Sequence, residues 1–151
     1  MAVDDPSVSV RHATSSDAAA VAELASQLAQ SFQFSRMRFD ANYAALLNTD
    51  DACLLLAVDG DTALGYLVGF DHITFYANGP VATVAEILVR AECRGRGIGR
   101  TLMGAFERWA VSRNCSLVTL ATRRAALFYV ALGYEESAAY LRKVLREHAA
   151  Q

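Results

Sequence analysis

Apolar and polar positions along this chain change period several times, and each change marks an element. Residues 7 to 13, SVSVRHA, alternate as in a half-buried strand. Thr14 and Asp17 have the spacing of a capping box, and Val21, Leu24, Ala25 and Leu28 then share one helical face. The period breaks in QSFQFSRMR, residues 30 to 38, after which Asp40 can cap a short second helix carrying Tyr43, Leu46 and Leu47. CLLLAVDGDTALGYLVGF predicts an antiparallel hairpin that turns at Asp59-Gly60-Asp61. Beyond Asn78-Gly79-Pro80, VATVAEILVR is apolar at nearly every position except Glu86, the pattern of a central strand covered on both faces. Residues 100 to 113 are helical, with Leu102, Phe106, Trp109 and Ala110 on one stripe. SLVTLAT predicts a strand, Ala125 to Leu132 a short helix stopped by Gly133, and AAYLRKVL a last strand. The order β α α β β β α β α β, without linker or repeat, predicts one mixed α/β (α+β) domain over residues 1–151.

Composition narrows the classes. At 151 residues and 54% hydrophobic content, the chain can bury roughly 70% of its unfolded surface around one core. Fourteen basic against 16 acidic residues, a net of −2, provide no global field for nucleic acid or an anionic membrane. Thirteen of the basic residues are Arg, which favours planar forks over point charges. The apolar runs are too short to cross a bilayer and the N-terminus lacks the regions of an export signal, so a cytoplasmic protein with neither membrane nor nucleic-acid partner is expected. Cys53, Cys93 and Cys115 are odd in number and dispersed, and His12, His72 and His148 are isolated. That usage fits reduced thiols and no metal site.

One stretch carries candidate chemistry. In AECRGRGIGRTLM, Gly95, Gly97 and Gly99 alternate among Arg94, Arg96, Ile98 and Arg100, directly before a helical pattern. Glycines so concentrated imply a close approach of backbone to backbone or to a ligand. A dinucleotide fingerprint fails because position 100 is Arg, and a Walker A loop fails because no Lys lies nearby. What remains is a strand end, a turn of unobstructed N–H groups and a helix N-terminus, a combination suited to a pyrophosphate.

Arg94-Gly95-Arg96-Gly97-Ile98-Gly99 resembles the R/Q-x-x-G-x-G/A loop of the GCN5-related N-acetyltransferases. Thirty residues on, Arg124-Ala125-Ala126-Leu127-Phe128-Tyr129-Val130-Ala131-Leu132-Gly133-Tyr134 resembles that family's A-x-x-F-Y-x-x-L-G-F/Y segment. The order of elements matches over about residues 7 to 146. The resemblance implies a central, mostly antiparallel twisted sheet of six to seven strands flanked by about four helices, and acetyl-CoA as donor. Its pyrophosphate would be held by main-chain N–H groups of residues 94 to 99, with close approach at Gly97 and Gly99, and its pantetheine would lie beside residues 86 to 90 like an added strand, bonded to Leu88 and Val89. Arg94, Arg96 and Arg100 then either contact phosphates or stand solvated. Thr122 is the expected cofactor-binding position where an Asn is common in the family, and Arg90-Ala91 stands where Asp-Pro is frequent.

Acetyl transfer to an amine through a tetrahedral intermediate needs one base and one acid. By the resemblance Tyr129 is the acid that protonates the departing sulfur; the alternative is an aromatic core residue. Glu86, eight residues before Arg94, is the base or a structural carboxylate bonded to Arg or Tyr, and burial in its apolar strand would suit it to take a proton. The family's acceptor side makes Phe32, Phe34, Arg36, Arg38, Asp71, His72, Phe75 and Tyr76 candidates for recognising a small-molecule or peptide amine. Dimers are common among relatives, so a homodimer is one expectation. A non-catalytic acyl-CoA-binding or regulatory module is the competing functional class.

Overall fold

The computed structural model describes residues 5–28 and 32–146. Gln30 and Ser31 of the interhelical stretch, and His148, lie outside them. Strands β1 (Val8–His12), β2 (Ala52–Asp59), β3 (Thr62–Thr74), β4 (Gly79–Val89) and β5 (Val118–Leu120) form one sheet in chain order. The first four are antiparallel neighbours, and β5 lies parallel to β4. Helices α1 (Ala18–Leu28) and α2 (Arg36–Leu47) belong to one face, and α3 (Ile98–Ser112) and α4 (Ala126–Ala131) to the other. The mixed α/β architecture is as expected, with five strands among the described residues in place of six to seven. The missing one is AAYLRKVL: residues 135–146 form neither helix nor strand, and their apolar side chains are exposed.

Both faces of the central strands are apolar because both are covered. On β2, Cys53, Leu55 and Ala57 join Leu102, Met103 and Phe106 of α3. The intervening Leu54, Leu56 and Val58 join Val21, Leu24 and Tyr43 on the other side. This period of two, with side chains of both sets buried, is the signature of a sheet between two helical layers. The α3 layer sits close: a Cβ at Gly69 would overlap the Phe106 ring. Arg113, just past α3, pins the same layer by pairing with buried Asp71 (Nε to Oδ2, 2.6 Å) and with Asp51 (2.9 Å). Cys53 and Cys93 are buried and Cys115 half-buried, all unpaired; burial pushes the Cys53 thiol up to about 12 and raises that of Cys115. Among the described residues no helix is long and apolar enough to cross a membrane.

Helix starts follow side-chain chemistry, with one correction. Ser35, extended at φ −121°, caps α2 by accepting from the Arg38 N–H at 3.3 Å, whereas Asp40 lies within the helix and pairs with Arg36 at 2.8 Å. The Thr14–Asp17 box is present: Asp17 Oδ2 accepts from the Thr14 N–H at 2.8 Å and closes a 3-10 turn over Ser15–Asp17 that leads into α1. Arg11 grips the same carboxylate at 2.7 Å and, as the largest cause, holds its pKa well below the usual range. A depressed folded pKa means stability that is complete above the unfolded value, about 4, and lost as pH falls through the folded one. Asp17→Asn is therefore expected to lower Tm at pH 7 by roughly 2–4 °C, for a cap contribution of about 1 kcal/mol. Thermal melts between pH 7 and 2 should show the two proteins converging in acid; a gap that widened there would contradict this role.

Candidate active site

β4 is paired with β3 along its length, whereas on the other side, among the described residues, its ladder with β5 covers Ala82, Thr83 and Val84, opposite Val118, Thr119 and Leu120, preceded by a bond from the Ser116 N–H to Pro80 O at 3.1 Å. From Ala85 onward no described strand pairs with the β5 side of β4. A bulge contributes to the opening: Val68 faces Glu86 and Gly69 faces Val84, which leaves Ala85 as the extra residue that bends the strand. The register then sets which main-chain groups face the gap. The Arg90 N–H donates to Leu64 O at 2.8 Å, so residue 90 points its amide at β3. Hydrogen-bonded and non-bonded positions alternate in an antiparallel ladder, so Leu88 also points at β3, and Val89 and Ile87 point outward. This corrects the expected pair Leu88 and Val89: the outward pair is Ile87 and Val89.

β4 ends in the glycine turn. Arg90 fixes the exit through Glu23 of α1 (2.9 Å) and Ala63 O (3.2 Å), a side-chain anchor where a rigid Asp-Pro is frequent. A 3-10 turn over Ala91–Cys93 buries Cys93, and the chain then needs left-handed backbone at Gly95 (φ 84°) and Gly97 (φ 78°), the N-cap of α3. L-residues avoid that region at a cost of about 1–2 kcal/mol. Among the described residues the N–H groups of Gly95, Arg96, Gly97, Ile98 and Gly99 have no main-chain acceptor, while Thr101 already bonds back to Gly97 O at 3.0 Å. These donors, together with the α3 dipole, fit an anion. Gly99 also serves packing: a Cβ there would lie 3.2 Å from the Phe128 ring, so its bareness lets α4 pack on α3.

Because β4 and β5 run parallel, both of their C-terminal ends open at the same rim, where crevices between strands bind ligands. The loop after β5 exposes Arg123 and Arg124, and Thr122 Oγ1 accepts from the Ala125 N–H at 3.1 Å, which commits that hydroxyl to starting α4. Tyr129 of α4 is only 8% exposed, its ring between Phe128 (4.9 Å) and Tyr134 (5.9 Å). Tyr134 donates to Glu107 at 2.9 Å, but among the described residues the Tyr129 hydroxyl has no partner. Burial raises its pKa, so the phenol stays protonated through neutral pH. Glu86 lies in the opposite layer, on the Leu88 side of the sheet, and accepts from Tyr66 at 2.8 Å. It is exposed and not buried as expected, because among the described residues β4 has no neighbouring strand on its β5 side at that level.

A profile described as the Acetyltransferase (GNAT) family matches residues 19–134. The chain belongs to this family. Solved GNAT-like structures agree in fold. Glucosamine-6-phosphate N-acetyltransferase from Arabidopsis thaliana is 18% identical, over 92% of this chain and 99% of its own, with a TM-score of 0.81. A transcriptional regulator from Bacillus halodurans C-125 gives 22%, 91%, 99% and 0.82. AAC(6')-Iy, solved with the bisubstrate analog CoA-S-monomethyl-acetylneamine, gives 20%, 92%, 98% and 0.80. No curated protein matches the sequence.

Within this GNAT chain, the predicted residues separate into groups. Arg94 is exposed at the turn. Arg96 is turned to Asp5 (2.6 Å) and Asp59 (3.5 Å), bonds that tie the turn to the first strand's approach and to the β2–β3 corner. Of the acceptor candidates, Asp71 is spent on Arg113, and Phe75 and Tyr76 stand exposed at the β3–β4 turn, roughly 25 Å from Ile87 at the rise of a strand. His72 is exposed on the same half of β3. The Phe34 ring lies tilted against Phe39 of α2, which stacks on Tyr43, and Arg38 Nε is buried with no hydrogen-bond partner among the described residues. Sequence reasoning missed Ile87 and Tyr66. Counting back from the strand end in steps of two finds Ile87 once the Arg90 bond is known; Tyr66 becomes Glu86's neighbour only through a register that the bulge shifts. Among the described residues no group of three or more His, Cys, Asp or Glu side chains could hold a metal ion.

Proposed function

We propose that this chain transfers an acetyl group from acetyl-CoA to a primary amine of a small molecule or peptide. The observation that carries the proposal is the side of β4 from Ala85 to Val89, unpaired among the described residues and running into a turn of N–H groups that have no main-chain acceptor among them. A strand edge and an anion cradle in line suit a ligand that is amide-bearing at one end and a diphosphate at the other. Two acetyltransferases among the neighbours, one solved with a CoA-based analog, support that donor.

Acetyl-CoA supplies an activated acyl group; the chain's residues position it and move protons. Gly95–Gly99 hold the diphosphate through main-chain N–H groups, with Arg94 adding charge from the rim. Ile87 and Val89 bond the pantetheine amides and direct an N–H at the thioester carbonyl, where negative charge develops. Glu86, oriented by Tyr66, takes a proton from the incoming amine directly or through water. Tyr129 donates to the leaving sulfur from the other layer of the sheet. Base and acid thus flank the gap between β4 and β5 from opposite faces, which lets the amine arrive and the thiol depart without crossing.

The test is titration of acetyl-CoA into the full chain by calorimetry, followed by thiol release across a panel of amino sugars, aminoglycosides and peptide amines. Saturable binding with amine-dependent release is expected. Binding without release for any amine would favour the non-catalytic module, and no binding would remove both readings.

A further inference from the structure

A charged side chain that is buried and unpaired needs an explanation, and this chain holds one outside the residues already given a task. Nε of Arg38 is buried without a hydrogen-bond partner, and no carboxylate among the described residues pairs with its guanidinium. Other arginines here behave differently. Arg90, Arg96 and Arg113, half-buried like Arg38, hold Glu23, Asp5 and Asp71 at 2.9, 2.6 and 2.6 Å. Asp40, two residues from Arg38, is taken by Arg36. Nor does the helix compensate: Arg38 lies in the first turn of α2, which carries no acidic residue, and there the dipole opposes a cation. A guanidinium does not shed its charge to relieve burial, as a lysine can.

The surroundings give that charge a use. Phe39, the next residue, and Tyr43 pack in the same layer as Tyr66, Val68 and Leu88, and Tyr66 is the residue that donates to Glu86 at 2.8 Å. α2 packs on β2, and only β3 separates β2 from the strand of Glu86, a step of about 10 Å at strand spacing. Phe34, its ring centre 5.8 Å from that of Phe39, and the exposed Phe32 and Met37 add apolar surface on the same stretch. One layer of the sheet thus carries a proton acceptor, an uncompensated cation and an apolar lining.

We propose that the acceptor amine bears a carboxylate or phosphate group and that Arg38 selects for it, through a planar fork suited to paired oxygens. On the acetyl-transfer reading, from which this starts, the acceptor narrows from amines in general to small anionic ones. The anion neutralises Arg38 while the amine is brought to Glu86, and the same charge disfavours polycationic amines.

The test uses amines that differ in the anion alone: glucosamine 6-phosphate against glucosamine for the phosphate, and para-aminomethylbenzoate against its amide for the carboxylate. Each is titrated calorimetrically into the full chain with CoA present, then offered with acetyl-CoA in a thiol-release assay. At least one anionic member should bind about 100-fold more tightly than its neutral partner, or about 2.7 kcal/mol, and show the gain in KM with kcat little changed. Which pair responds tells phosphate from carboxylate. Arg38→Met should erase the preference, leave the neutral members and the acetyl-CoA Kd as they were, and hold or raise Tm, because it removes a buried charge that has no partner. Arg38→Lys keeps the charge without the fork and should retain only part of the preference. Equal binding within both pairs, a preference that survives Arg38→Met, or a Tm lowered by that substitution would each overturn the proposal. Binding is read apart from turnover: anionic amines held through Arg38 with no release from any amine would uphold this site and overturn acetyl transfer, and release without the preference would do the opposite.

Discussion

Gly97→Val is expected to abolish measurable acetyl-CoA binding while leaving a folded protein. Position 97 has φ 78° and is the N-cap of α3. A β-branched residue is an outlier there, so the turn must rearrange. The left-handed penalty alone, about 1–2 kcal/mol, should lower Tm of the cofactor-free protein by roughly 2–8 °C. Binding loses more, because every N–H from Gly95 to Gly99 depends on that turn, and hydrogen bonds to charged groups contribute about 1.5–3 kcal/mol each. Loss of two corresponds to a Kd weakened by roughly 100-fold or more. Calorimetric titration beside a thermal melt checks both numbers, and unchanged affinity would mean that the turn does not hold the diphosphate. Gly99→Ala serves as contrast: its Cβ would meet Phe128 at 3.2 Å, so the disturbance goes to α4 and the phosphate site keeps its donors.

Tyr129→Phe should lower turnover by about 100-fold or more, the usual contribution of a positioned general acid, with the acetyl-CoA Kd unaltered. That division marks a group acting in the transition state alone. Stability should hardly change, since the hydroxyl has no partner among the described residues to lose. Tyr134→Phe should do the reverse by deleting the 2.9 Å bond to Glu107, costing stability and sparing turnover. The pH profile carries an independent sign. Burial raises the Tyr129 pKa, so its proton is retained past the ordinary phenol value of 10.0, and any alkaline fall of kcat due to this group lies above that value. Steady-state kinetics across pH 7 to 11 on wild type and the Phe variant decide it. Equal turnover in both would take Tyr129 out of the mechanism.

The layers of this fold were legible because burial on both sheet faces writes a continuous apolar pattern, and β2 to β4 carry it almost unbroken. The turn was legible too, since left-handed backbone at alternate positions leaves few options but glycine. What escaped was whatever depends on register and on distant pairs. Leu88 and Val89 were expected together from the resemblance, but neighbouring residues of a strand point their amides to opposite edges, and only the bond from the Arg90 N–H to Leu64 O tells which of the two faces outward. Arg96 was expected to contact a phosphate or stand solvated, and its guanidinium instead pairs with Asp5, 91 positions away. Asp71 likewise looked available, but Arg113 lies 42 positions on. The tail AAYLRKVL has a strand's pattern and no strand's partner within the described residues, because pattern reports what a segment can pair with and not where that edge is.

Thiol placement has a practical sequel. An assay that scavenges free coenzyme A with an aromatic disulfide competes with the protein's own sulfhydryls only as far as these ionise and can be reached. Cys53 and Cys93 lie inside, burial pushes the Cys53 thiol up to about 12, and Cys115 is both screened and weakened as an acid. At pH 8 the released product, an ordinary thiol near about 8.5, should therefore dominate the colour, and turnover can be followed continuously on the unmodified chain.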